Sequence, residues 1–183
     1  YCRTNTKDYL QPNEVVQFNP RVYSFVPKIL LRQTADRIIA TVDEVGVWFG
    51  RSILSILPTA ESNHSIYYLV ALLNSKYFEF LYHKLVQEKG RVFAQVKLSK
   101  IKQLPVRLID FENNDEIHDY EEIVTYSKKL HALKHMNSIG KNDYFDTSND
   151  QSILDLLNSI DIIVYRLYGL SQTDIDDLQN KIG

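Results

Sequence analysis

His131 and His135 stand four residues apart, a spacing that on a helix would aim both imidazoles at one metal ion. The glutamate of a zinc-protease helix is missing between them, so we read two histidines on a solvated helix face and expect no metal. Phe18-Asn19-Pro20-Arg21 has the outline of the Asn-Pro-Pro-aromatic motif with which amino-methylating enzymes hold a target amine, but Arg21 replaces the second proline. The six glycines are isolated and none precedes Lys-Ser or Lys-Thr, which removes the phosphate-cradling loop. No Gly-X-Ser-X-Gly elbow is present, and no carboxylate cluster resembles a nuclease metal site. We therefore expect no catalytic residue and no cofactor of the chain's own.

What remains is binding chemistry. The stretch EKGRVFAQVKLSKIKQLPV, residues 88–106, holds Lys89, Arg91, Lys97, Lys100 and Lys102, with no acid after Glu88. Val92, Phe93, Val96, Leu98, Ile101 and Leu104 are interleaved with these cations, so one side can anchor in a core while another projects charge. The spacing predicts an extended segment that becomes a short helix from about Ser99 until Pro105 ends it. Phosphate suits such a surface, because each Lys or Arg contact releases condensed counterion and backbone near Gly90 permits close approach. The plain alternative is a set of solubilising charges on an edge strand. Net charge conceals a wider asymmetry: residues 1–110 carry 15 Lys+Arg against 9 Asp+Glu, and residues 111–183 carry 6 against 14. A polyanion-binding face joined to an acidic helical support would show this division.

The elements that must position these charges follow from pattern. Residues 28–42 place two apolar runs around the polar Thr34-Ala35-Asp36, as a hairpin would. Asp43-Glu44-Val45-Gly46 is a second turn signal before Val47-Trp48-Phe49, and Ser52 to Leu57 reads as another strand stopped by Pro58. We expect an antiparallel meander. Ser65 is placed to cap a core helix, IYYLVALLNSKYFEFLYHKLV, with a break near Asn74-Ser75. Helical spacing continues through Tyr120, Ile123, Val124, Leu130 and Leu133, and again from Ile153 to Leu167, with 137–150 as a linker. Gly169 is placed as a left-handed helix stop, and Ser171 to Asp174 as a capping box for a last helix.

The expected fold class is α+β: a small, mainly antiparallel sheet with packed helices in residues 1–110, then a helical scaffold in 111–183, together one compact unit. The chain opens without Met, its only one being Met136, and we read it as a piece of a longer protein. A single cysteine, Cys2, allows no internal disulfide and fits the cytoplasm. The longest apolar run, 66–73, is too short to span a membrane.

In order and spacing, KILLRQTADRIIATVDEVG, YYLVALLNSKYFEFLYHKL, EKGRVFAQVKLSKIKQLPV and VYRLYGLSQTDI resemble the C-terminal target-recognition domain of TaqI-like adenine-specific DNA methyltransferases. That domain also occurs in single-chain type IIG restriction-modification enzymes and is related to the recognition domains of type I specificity subunits. Ala35 departs from the pattern, standing where the family often has glycine in a Gln-Thr-Gly-Asp-Arg turn. The resemblance implies a division of labour, in which a separate methyltransferase domain of the parent enzyme binds S-adenosylmethionine and flips the adenine while this chain grips double-stranded DNA. Bases are read by directed donors and acceptors. Arg32, Gln33, Thr34 and Arg37 at the hairpin, with Arg91, Gln95 and Lys97, are the candidates for readout; Lys89, Lys100 and Lys102 are candidates for phosphate contact. An ion pair between Arg37 and Asp36 is the structural alternative for that arginine. Two other functions stay open: an assembly module that packs a partner on helices 117–136 and 150–182, and a free-standing enzyme, which the missing motifs disfavour.

Overall fold

A computed structural model describes residues 20–59, 62–86, 95–139 and 151–182. Strands β1 (Lys28–Arg32), β2 (Ala40–Asp43) and β3 (Ile53–Ile56) form one antiparallel sheet in the order β2-β1-β3. The expected hairpin is present, with Lys28 opposite Asp43 and Leu31 opposite Ala40. The meander is not: β3 pairs with β1, Ile29 opposite Ile56 and Arg32 opposite Ile53, which makes β1 the central strand. Burial explains the order. Both faces of β1 are covered, with Lys28, Ile29 and Leu31 buried, whereas β3 is half-buried along its whole length, as suits an edge. Val47-Trp48-Phe49 lies in the loop that carries the chain from β2 round to the far side of β1.

That loop is fastened at its root. Lys28 is fully buried, its Nζ 2.5 Å from Asp43 Oδ2 and donating to the carbonyls of Tyr23 (2.9 Å) and Phe25 (3.2 Å). The same carboxylate accepts the N–H groups of Val45, Gly46 and Val47 at 2.9 to 3.1 Å. Burial alone would raise Asp43, but the Lys28 contact and the three N–H donors outweigh it and hold the carboxyl below its ordinary 3.8. Gly46 sits at φ +82° with Tyr23 O only 3.2 Å from where a Cβ would stand, so this turn requires glycine. Ahead of it the short helix α1 (Pro20–Ser24) opens with proline at its first position, where the missing N–H costs nothing.

Helix α2 (Ile66–Asn74) starts where Ser65 Oγ accepts the Tyr67 N–H, and it buries Tyr67, Tyr68, Val70, Ala71, Leu72 and Leu73. It breaks at the expected place. Asn74 turns its amide to both backbone groups of Ala40, at 2.8 and 2.9 Å, which locks α2 to the outer edge of β2. Helix α3 (Lys76–Val86) follows, its Lys76 N–H taken by Asp161 Oδ1 at 2.9 Å. After α4 (Leu98–Ile101) come α5 (Asn114–Ile139), α6 (Gln151–Leu167) and α7 (Gln172–Ile182). Gly169, at φ +65°, ends α6 with its own N–H on Arg166 O and that of Leu170 on Tyr165 O. Ser171 and Asp174 then exchange hydrogen bonds as a capping box for α7.

One apolar cluster joins Ile29, Leu31 and Phe78 to Ile123, Ile160, Ile163 and Val164. The linker from α4 to α5 is pinned to it from two sides, since Tyr68 Oη donates to Arg107 O (3.0 Å) while Tyr168 Oη accepts from Arg107 N–H (2.9 Å) and donates to Pro105 O (2.7 Å). Burial raises the Tyr168 phenol to about 12, which keeps it a donor at any working pH. Among the described residues no helix is long and apolar enough to cross a membrane.

Candidate nucleic-acid interface

Two stretches far apart in sequence meet at the end of the sheet where β1 runs out. Gln33 is the junction: its N–H donates to Ser52 O at 2.8 Å and its carbonyl accepts from Val96 N–H at 2.7 Å. Thr34 forms an isolated antiparallel bridge with Gln95. Arg32, Thr34 and Gln95 are exposed around this point, and Gln33 is half-buried. The bridge sets Thr34 beside Gln95 on hydrogen-bonded backbone, with Arg32 exposed two residues before Thr34, and these are side chains with the directed donors and acceptors that base edges need.

Helix α3 holds the assembly from beneath. Tyr82 Oη accepts the Lys97 N–H at 3.0 Å and reaches Gln95 O at 3.5 Å, fixing the extended segment just before α4. From the next residue, His83 Nε2 donates to Asp36 O at 3.1 Å and ties the hairpin loop to the same helix. Ala35 packs its half-buried methyl toward the core, a contact that glycine would not make. Sequence reading passed over Ser52, Tyr82 and His83 as positioning residues. Tyr82 had a signal, being a polar-tipped aromatic on an apolar helix face, whereas Ser52 shows its part only through backbone pairing.

The remaining candidates divide. Arg37 faces α3, its guanidinium 3.8 Å from Glu79, so the carboxylate it faces lies on another element and is not Asp36, the partner considered as the alternative to base contact. Lys97 and Lys102 are exposed and Lys100 half-buried around α4, while Val96, Ile101 and Leu104 anchor the segment in the core. Arg32, Lys100 and Lys102 form no ion pair among the described residues. Lys89 and Arg91, the latter a candidate for base reading, lie outside the described residues. His131 lies on α5 with its ring 5.8 Å from that of Tyr67, and the side chain of His135 lies outside the described residues. No three of His, Cys, Asp and Glu converge as metal ligands among the described residues.

A face with unpaired cations, amide and hydroxyl side chains and a rigid backbone can bind a polyanion and discriminate its edges. Residues 2–106 match the family model described as the TaqI-like C-terminal specificity domain, a match that covers more than half of the chain and ends just after α4. No curated protein matches the chain.

Proposed function

The chain belongs to the family of TaqI-like C-terminal specificity domains, and from that premise we propose that it reads a base sequence in double-stranded DNA for an N6-adenine methyltransferase, free-standing or within a type IIG restriction-modification enzyme. The observation that carries the reading is the junction at Gln33, where the hairpin and the segment 95–97 present Arg32, Thr34, Gln95 and Lys97 together. Lys97, Lys100 and Lys102 supply phosphate contacts that set register; Arg32, Gln33, Thr34 and Gln95 supply the directed contacts. Lys89 and Arg91 extend the same basic stretch in sequence. S-adenosylmethionine and the flipped adenine belong to a separate domain of the parent enzyme, and this chain contributes grip and orientation.

The assembly-module reading has less support, because the apolar stripes it would use are turned inward. Ile123 and Leu130 of α5, Ile153, Ile160, Ile163 and Val164 of α6 and Leu178 of α7 are buried within the chain itself. The test is an exchange of residues 22–107 in the full-length enzyme for the matching part of a relative with a different site. Methylated bases mapped by sequencing should move to the donor's site. A folded, methylating chimera that keeps the original site would place the reading elsewhere.

A further inference from the structure

One more cation stands at the Gln33 junction. Arg51 occupies the turn that Ile53 N–H closes on Gly50 O at 3.2 Å, and its neighbour Ser52 gives the carbonyl that receives Gln33 N–H. Carrying the antiparallel register beyond Arg32 and Ile53 sets Gln33 beside Ser52 and Thr34 beside Arg51. Thr34 is the residue bridged to Gln95. The Arg51 side chain is exposed and has no acidic partner among the described residues.

The loop that carries Arg51 is braced over its whole length. Asp43 collects the N–H groups of Val45, Gly46 and Val47 at its root. In the middle, the Tyr23 ring lies 4.9 Å from that of Trp48 and 5.0 Å from that of Phe49, and Tyr23 Oη donates to Phe49 O at 3.3 Å. The Gly50–Ile53 turn closes the end. A solubilising arginine gains nothing from such support. A reading residue does, because backbone already fixed before contact need not be ordered on binding.

We propose that Arg51 reads a base on this face, its planar guanidinium holding the N7 and O6 acceptors of a guanine in the major groove while the α4 lysines rest on phosphate. The inference rests on the DNA-reading function proposed above. A lysine would preserve the charge but lose the two parallel donors.

The experiment is selection from a randomised duplex pool with the chain and its Arg51→Lys and Arg51→Ala variants, followed by titration of each on the enriched duplex and on a scrambled one. Thermal melting confirms that the variants fold, and the lysine variant keeps the test valid should the alanine one melt early. The wild type should enrich a site with a fixed guanine that neither variant selects. On the enriched duplex both variants should lose about tenfold or more in affinity, with little change on the scrambled duplex for Arg51→Lys. Selection of the wild-type site by both variants, or full recovery by lysine, would overturn the assignment and leave the DNA-reading function standing. Failure of the wild type to enrich any sequence would overturn both.

Discussion

Lys100 and Lys102 differ from Arg37 in one respect that binding experiments can reach. Arg37 already faces Glu79, whereas no carboxylate among the described residues is paired with Lys100 or Lys102. Replacing Lys100 or Lys102 by alanine should lower the slope of log affinity against log salt by about one per lost phosphate contact, on specific and random duplex alike. Arg37→Ala should change that slope less, a difference that salt-series titrations measure directly. At the buried end of the sheet the Lys28–Asp43 pair makes a separate demand. Asp43→Ala leaves the Lys28 ammonium buried without its counter-charge and should cost about 3–5 kcal/mol, read by urea unfolding. Because folding lowers the Asp43 pKa, its contribution is fully present above the unfolded value of 3.8 and is lost as pH falls through the lower folded value. Wild-type stability should therefore drop in that acid window, and the drop should shrink in the variant.

Elements, more than single contacts, decide how much of this molecule could be foreseen. Ser65, the Asn74-Ser75 break, Gly169 and the Ser171–Asp174 box act within a few residues of themselves, so capping and turn chemistry identify them from sequence alone. The order of the strands is a different kind of fact. It depends on the buried Lys28–Asp43 pair and on the Tyr23–Trp48 stacking that steer the chain past β1, and no local pattern encodes them. For the same reason the candidate residues Gln33, Thr34 and Gln95 were legible by type while their meeting, and the roles of Ser52 and Tyr82, were not. Helix α6 carries a local conflict: the Tyr165 hydroxyl is buried with no hydrogen-bond partner among the described residues, and burial together with the nearby Asp161 charge raises its pKa to about 12. Tyr165→Phe removes an unsatisfied polar atom and should leave stability unchanged or raise it by about 1 kcal/mol. A loss beyond that range in urea unfolding would show that the hydroxyl is bonded after all.

Taken as a whole, the chain separates charge between two regions that share one core. Cations surround the end of the sheet and α4, while acids line α5 and α7, among them Glu121, Asp174, Asp176 and Asp177, all exposed. On the proposed DNA-reading function, the phosphates of DNA would be repelled from the helical side, and this charge division would help to orient the duplex toward the sheet end. Burial within that support also raises Asp161, against the opposing pull of the Lys76 N–H and ammonium. Its contribution has the opposite sign to that of Asp43, fully present below 3.8 and lost as pH rises through the folded value. Asp161→Asn should then be tolerated at neutral pH where Asp43→Ala is not, a contrast that thermal melting of the two variants would display. The central claim, that this face grips duplex DNA through phosphate and reads it through the Gln33 junction, is tested most directly by titrating the chain with duplex across a salt series. The account predicts binding at low salt that weakens steeply and linearly on logarithmic axes as salt rises. An absence of binding at low salt, or an affinity that salt leaves unchanged, would contradict it.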